Sequence, residues 1–122
     1  MISKVNLESK FALIDSFWNP HIIGELNGQY VKLAKLKGDF VWHSHEHEDE
    51  YFQVYKGELQ MEFREGIETI KEGEMIVVPK GVEHNPHTLY GQECWVILFE
   101  PIETLHTGQV PFEKANNNQK RI

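Results

Sequence analysis

Glycine divides this sequence into short runs in which apolar and polar residues alternate. Gly28, Gly38, Gly57, Gly66, Gly73, Gly81 and Gly91 stand seven to nineteen residues apart. The runs between them have a period of two, which places successive side chains on opposite faces of a strand. "QYVKLAKLKG" sets Val31 and Leu33 against Lys32 and Ala34, and "ELQMEF" sets Leu59, Met61 and Phe63 against Glu58, Gln60 and Glu62. Such strands are expected to be wet on one face. "MIVVP" and "CWVILFE" are unbroken apolar runs of strand length, expected to be more deeply buried. Many short antiparallel strands follow, in an all-β sandwich or barrel. The N-terminal segment differs: Leu7, Phe11, Ile14 and Trp18 are spaced by four, three and four residues. This stripe predicts a short amphipathic helix over about 6–18, before Pro20. The polar end "NNNQKRI" predicts a frayed tail over about 113–122.

Size and charge narrow the functions. A chain of 122 residues with 40% hydrophobic content suits a single domain over 1–122. Its net charge of −7 repels phosphate backbones and anionic lipid, so neither nucleic acid nor a membrane is an expected partner. No apolar run approaches the roughly 20 residues that span a bilayer, and "MISKVNLESK" lacks the apolar core of a signal peptide. A soluble, cytoplasmic protein is expected. Cys94, the only cysteine, cannot form an internal disulfide, and within "CWVILFE" it reads as a buried, inert thiol.

Against this background "HSHEHEDE", residues 43–50, concentrates histidine and acid just after an apolar stretch. His43 and His45 share one strand face, as two imidazoles converging on one ion require. Glu50 has the opposite parity. The polar "EHED" reads as a turn, after which "EYFQVYKG" resumes alternation and can point Glu50 inward with Phe52 and Val54. His47 then falls at the rim and ranks below its neighbours as a ligand. Taken alone, the group is equally compatible with solvated side chains at a strand end. A further imidazole comes from "GEMIVVPKGVEHNPH", where the turn at Pro79 and Gly81 can bring His84 back across the sheet.

Together these stretches resemble the two motifs of the cupin family. The first reads here as Gly38, His43, His45, Glu50 and Gly57, and the second as Gly73, Pro79, Gly81 and His84. Gly38 is one residue nearer His43 than in the commonest form, and Thr88 stands where Asn is usual as a support residue. The motifs span residues 38–88, and their context is similar to that of small single-domain cupins often labelled mannose-6-phosphate isomerase-like. That label carries no activity with it. The resemblance implies a jelly-roll β-barrel, frequently a homodimer, with a divalent ion held inside by His43, His45, Glu50 and His84. Phe17, Trp18 and Trp42 could serve a dimer interface or the core.

Three neutral imidazoles and one carboxylate suit Zn, Fe, Mn, Ni or Cu, and leave about two positions of an octahedral ion open. The expected partner is a small oxygenated metabolite, with isomerase-like chemistry, dioxygenase-like chemistry if the ion is Fe(II), or decarboxylation. The alternative is a non-catalytic binding or sensing module with a stabilising ion. His47 and His87 are proton carriers by type only, and no catalytic base is assigned. The acid-rich "EHEDE" disfavours highly anionic substrates and weakens the sugar-phosphate analogy.

Overall fold

The computed structural model describes residues 2–102 and 119–122. One short helix, α1 (Leu7–Phe11), precedes eight strands: β1 (His21–Leu26), β2 (Gln29–Lys37), β3 (Glu50–Lys56), β4 (Glu58–Phe63), β5 (Gly66–Lys71), β6 (Met75–Val78), β7 (Asn85–His87) and β8 (Glu93–Pro101). They form two antiparallel sheets, ordered β1-β2-β8-β3-β6 and β5-β4-β7. The alternation predicts an all-β sandwich or barrel, and the arrangement fits the jelly roll that the resemblance implies. Leu36, Phe52, Val54, Leu59, Met61 and Val96 meet in the core shared by the two sheets.

Turn chemistry sets the strand order. Asn27 and Gly28 both have positive φ, 48° and 74°, and close a two-residue loop between β1 and β2. This backbone twist matches that of the strands it joins. Gly57 carries the chain from β3 into β4, and so from one sheet to the other, at φ 87°. A Cβ there would stand 2.3 Å from the Glu93 carbonyl oxygen, so only glycine admits β8 this closely.

Several expectations need correcting. The helix stops at Phe11, well short of residue 18, because the bonds from Leu13 N to Lys10 O and Ile14 N to Phe11 O tighten its last turn. Trp18 then takes a left-handed φ of 57° and is captured by β2, its amide on Lys35 O and its indole on Lys37 O. Nor is β2 wet on one face. Leu33 lies beneath α1 with Phe11, Ile14 and Ile97, while Lys32, Ala34 and Leu36 are buried on the other face. β8 is buried on both faces as expected, but β6 is not: Met75 and Val77 are about half exposed. Among the described residues it is the edge strand and pairs only with β3. Finally, residues 119–122 do not fray. Ile22 N bonds to Lys120 O at 2.7 Å and Ile122 N to Ile22 O at 2.9 Å, so this end lies along β1. Residues 113–118 of the expected tail lie outside the described residues.

Candidate metal centre

His43 and His45 follow β2 in extended chain outside the named strands. His43 is fixed by a reciprocal backbone pair with His84, N to O at 3.0 Å and 2.9 Å. The turn before His84 is itself tied down: Gly81 N bonds to His45 O and Lys80 N to Asp49 Oδ1, each at 2.8 Å. Thr88, beyond His84, accepts from Gly38 N at 2.7 Å and returns its own amide to Gly38 O. The two histidine-bearing segments are thus stitched together before any ion is considered. Glu50 opens β3 and points inward with Phe52 and Val54, as parity requires.

All four side chains are buried, and one donor atom from each lies within 4.8 Å of the others. Donors sharing an ion at about 2.0–2.2 Å stand about 3 to 4.4 Å apart, so modest side-chain movements bring this group onto one ion. The Nδ1 atoms of His43 and His84 lie 2.9 Å from the carbonyls of Val41 and Val82. Carbonyls only accept, so these Nδ1 atoms donate and each neutral ring presents an Nε2 lone pair. Glu50 Oε1 stands 2.8 Å from His45 Nε2 and 3.2 Å from His84 Nε2. The shorter contact is not aligned as a hydrogen bond, and His45 Nε2 has no hydrogen-bond partner among the described residues. Four buried donor atoms crowded this closely, one of them without an aligned hydrogen bond, are what a cation completes.

The same crowding shifts the acid–base equilibria. Burial, then the neighbouring His84 charge, pushes His43 down to about 4. For His45 burial is the largest influence and acts downward, but Glu50 outweighs it and raises the value. Burial likewise works to raise Glu50, yet His45 and His84 hold it well below the usual carboxylate range.

Two charged residues beside this group were not singled out by the sequence reading. Glu100 and Lys32 are buried and pair at 2.9 Å. Burial and then the Glu50 charge push Glu100 up to about 8, against the pull of Lys32. Parity held the signal: Glu100 continues the face of Val96 and Leu98, and Lys32 that of Ala34 and Leu36. His47 is exposed, and His87 sits half-buried on β7; neither joins the group. Trp18 belongs to the core, Trp42 lies under the Arg64 guanidinium, and Phe17 is exposed. Burial raises the Cys94 thiol to about 12, in keeping with an inert residue.

The cupin domain model matches residues 29–99, more than half of the sequence. The chain belongs to the cupin family. The uncharacterized protein YdbB of Bacillus subtilis (strain 168) is 36% identical to this cupin over 63 residues, 51% of this chain and 56% of YdbB. The match thus spans little more than half of that relative's length. The crystal structure of a cupin-2 domain containing protein from Shewanella frigidimarina NCIMB 400 shares 44% identity, with 80% of this chain and 93% of that chain covered and a TM-score of 0.77. Protein NMB1881 from Neisseria meningitidis shares 37% identity over 81% of this cupin and 99% of that chain, at a TM-score of 0.73. No helix among the described residues of this cupin is long and apolar enough to cross a membrane.

Proposed function

We propose that this cupin holds one divalent metal ion on His43, His45, Glu50 and His84 and uses it to bind and transform a small oxygenated molecule. The observation that carries this reading is the convergence of four buried donor atoms, one each from His43, His45, Glu50 and His84, within 4.8 Å of one another. When bound, the ion supplies Lewis-acid polarisation of a ligand oxygen in isomerase-like chemistry, or redox chemistry of the dioxygenase-like kind if it is iron. The protein's own contribution is orientation. The Val41 and Val82 carbonyls fix two ring tautomers, and the His43–His84 backbone pair fixes their separation.

The test is stripping with a chelator, followed by titration with Mn, Fe(II), Zn and Ni and elemental analysis. One equivalent per chain is expected, and His84→Ala weakens binding by about 100-fold or more, roughly 2.7 kcal/mol. Circular dichroism confirms that the variant folds. Binding unaffected by His84→Ala overturns the proposal. Recovery of a tightly bound ligand unchanged after long incubation assigns the protein to binding or sensing without turnover.

A further inference from the structure

A cavity opens directly beside the histidine and carboxylate group, with His43 and Glu50 in its wall. Its volume is about 30 Å³, against the roughly 10–15 Å³ that one water needs on the same measure, so it admits a small molecule of a few atoms. Most of the remaining wall is apolar, formed by Trp18, Leu36, Phe40, Phe52, Val96 and Leu98. Trp18 and Phe40 stack nearly parallel with ring centres 4.5 Å apart, and Phe40 meets the His43 ring edge-on at 5.6 Å. An aromatic wall therefore runs up to a candidate metal ligand. Trp18 reaches it through left-handed backbone, uncommon for a bulky residue, and two hydrogen bonds to β2 keep it there.

Among the described residues the ionisable groups of the wall other than His43 are Glu50 and Glu100, with no lysine or arginine, so a bound ion would be the cavity's source of positive charge. Lys32, the cation beside it, is occupied by Glu100 at 2.9 Å. Outside, Glu46, Glu48 and Asp49 add negative charge to the turn between His45 and Glu50. A phosphate would lose its hydration here with no cationic side chain to replace it. A neutral molecule with an apolar body meets no such cost.

We infer that the ligand of this site is a small, uncharged ketol-like molecule that offers oxygen to the metal and lays an apolar body against Trp18 and Phe40, which set the specificity. This rests on the metal reading above and narrows it away from phosphorylated sugars.

Three probes test polarity and charge: acetoin, dihydroxyacetone of equal heavy-atom count, and dihydroxyacetone phosphate. Calorimetric titration of each into protein carrying one measured equivalent of metal should show acetoin binding about tenfold more tightly than the phosphate and clearly more tightly than dihydroxyacetone. Phe40→Ser should weaken acetoin binding about tenfold at unchanged metal stoichiometry, and Trp18→Phe, which preserves the stack, should retain it. With the metal in place, equal or tighter binding of either polar probe, or binding of none of the three, overturns the inference and leaves the metal reading standing. Failure to retain metal in the unsubstituted protein removes both.

Discussion

Lys32 and Glu100 face one another from neighbouring strands, both almost wholly buried, where an ion pair is poor evidence of stability but a broken one is costly. The two halves are not equivalent. Glu100→Leu removes the oxygen that accepts from the Lys32 ammonium and leaves a buried charge with no partner among the described residues, and we expect a loss of about 3–5 kcal/mol. Lys32→Met leaves a carboxyl whose pKa already lies at about 8 and which can stay protonated. That change should cost about 1–3 kcal/mol, the price of an unsatisfied neutral group. Lys32→Met with Glu100→Leu should recover most of the larger loss. Urea unfolding of the three variants checks this ranking, and a more damaging Lys32→Met would show that Glu100 is held ionised.

At the level of the strands, close packing around one turn matters more than turns in general. Gly57→Ala adds the cost of a left-handed backbone, about 1–2 kcal/mol, to a clash with the Glu93 carbonyl, about 1–3 kcal/mol by analogy with overpacked cores. Gly28→Ala meets nothing within 4 Å and should show only the first. Thermal unfolding of the pair separates the two effects, and equal losses would mean that β8 yields to the added methyl. Both glycines were legible as turns from their spacing, whereas the approach of β8 to Gly57 was not, because pattern carries no distances between strands. The same division runs through the site. Alternation after the "EHED" turn pointed Glu50 inward with Phe52 and Val54, and the structure places it there. It misplaced Lys32, because a lysine in an alternating strand reads as a solvated face unless a buried acid opposite is known. It also overrated β6: an apolar run looks the same at the edge of a sheet and in its middle. The helical stripe held as far as Phe11, which packs with Ile14 beyond the helix end against Leu33 and Ile97, and failed at Trp18, where hydrogen bonds to β2 prevailed over helical continuation.

For the molecule as a whole, the buried ionisable groups make metal and pH inseparable. In metal-free protein His43 titrates at about 4 against 6.5 for an unperturbed imidazole, so the unfolded chain takes up its proton first as pH falls. The stabilisation it gives is complete above pH 6.5 and lost on the way down to 4. Glu50, held well below its ordinary 4.5, loses its contribution as pH falls from 4.5 towards its lowered value. Glu100, raised to about 8 from 4.5, acts in the opposite sense: its contribution is present in acid and lost between 4.5 and 8. His45, raised above 6.5, also loses its contribution as pH rises. His43 and Glu100 therefore oppose each other between 4.5 and 6.5, and above 6.5 the metal-free protein weakens as Glu100 and His45 deprotonate. A divalent ion reverses this, because it requires neutral imidazoles and an ionised Glu50. The rise in melting temperature on adding metal should therefore be small near pH 5 and grow towards pH 8. At 100 times the dissociation constant it is worth about 2.7 kcal/mol, or on the order of 10 °C for a domain of this size. Chelation should lower the transition without abolishing its cooperativity, since the core of Leu59, Met61, Val54 and Val96 owes nothing to the ion. Scanning calorimetry across that range decides the matter. An increment independent of pH would mean that imidazoles do not hold the ion, and loss of the cooperative transition on chelation would make the ion structural.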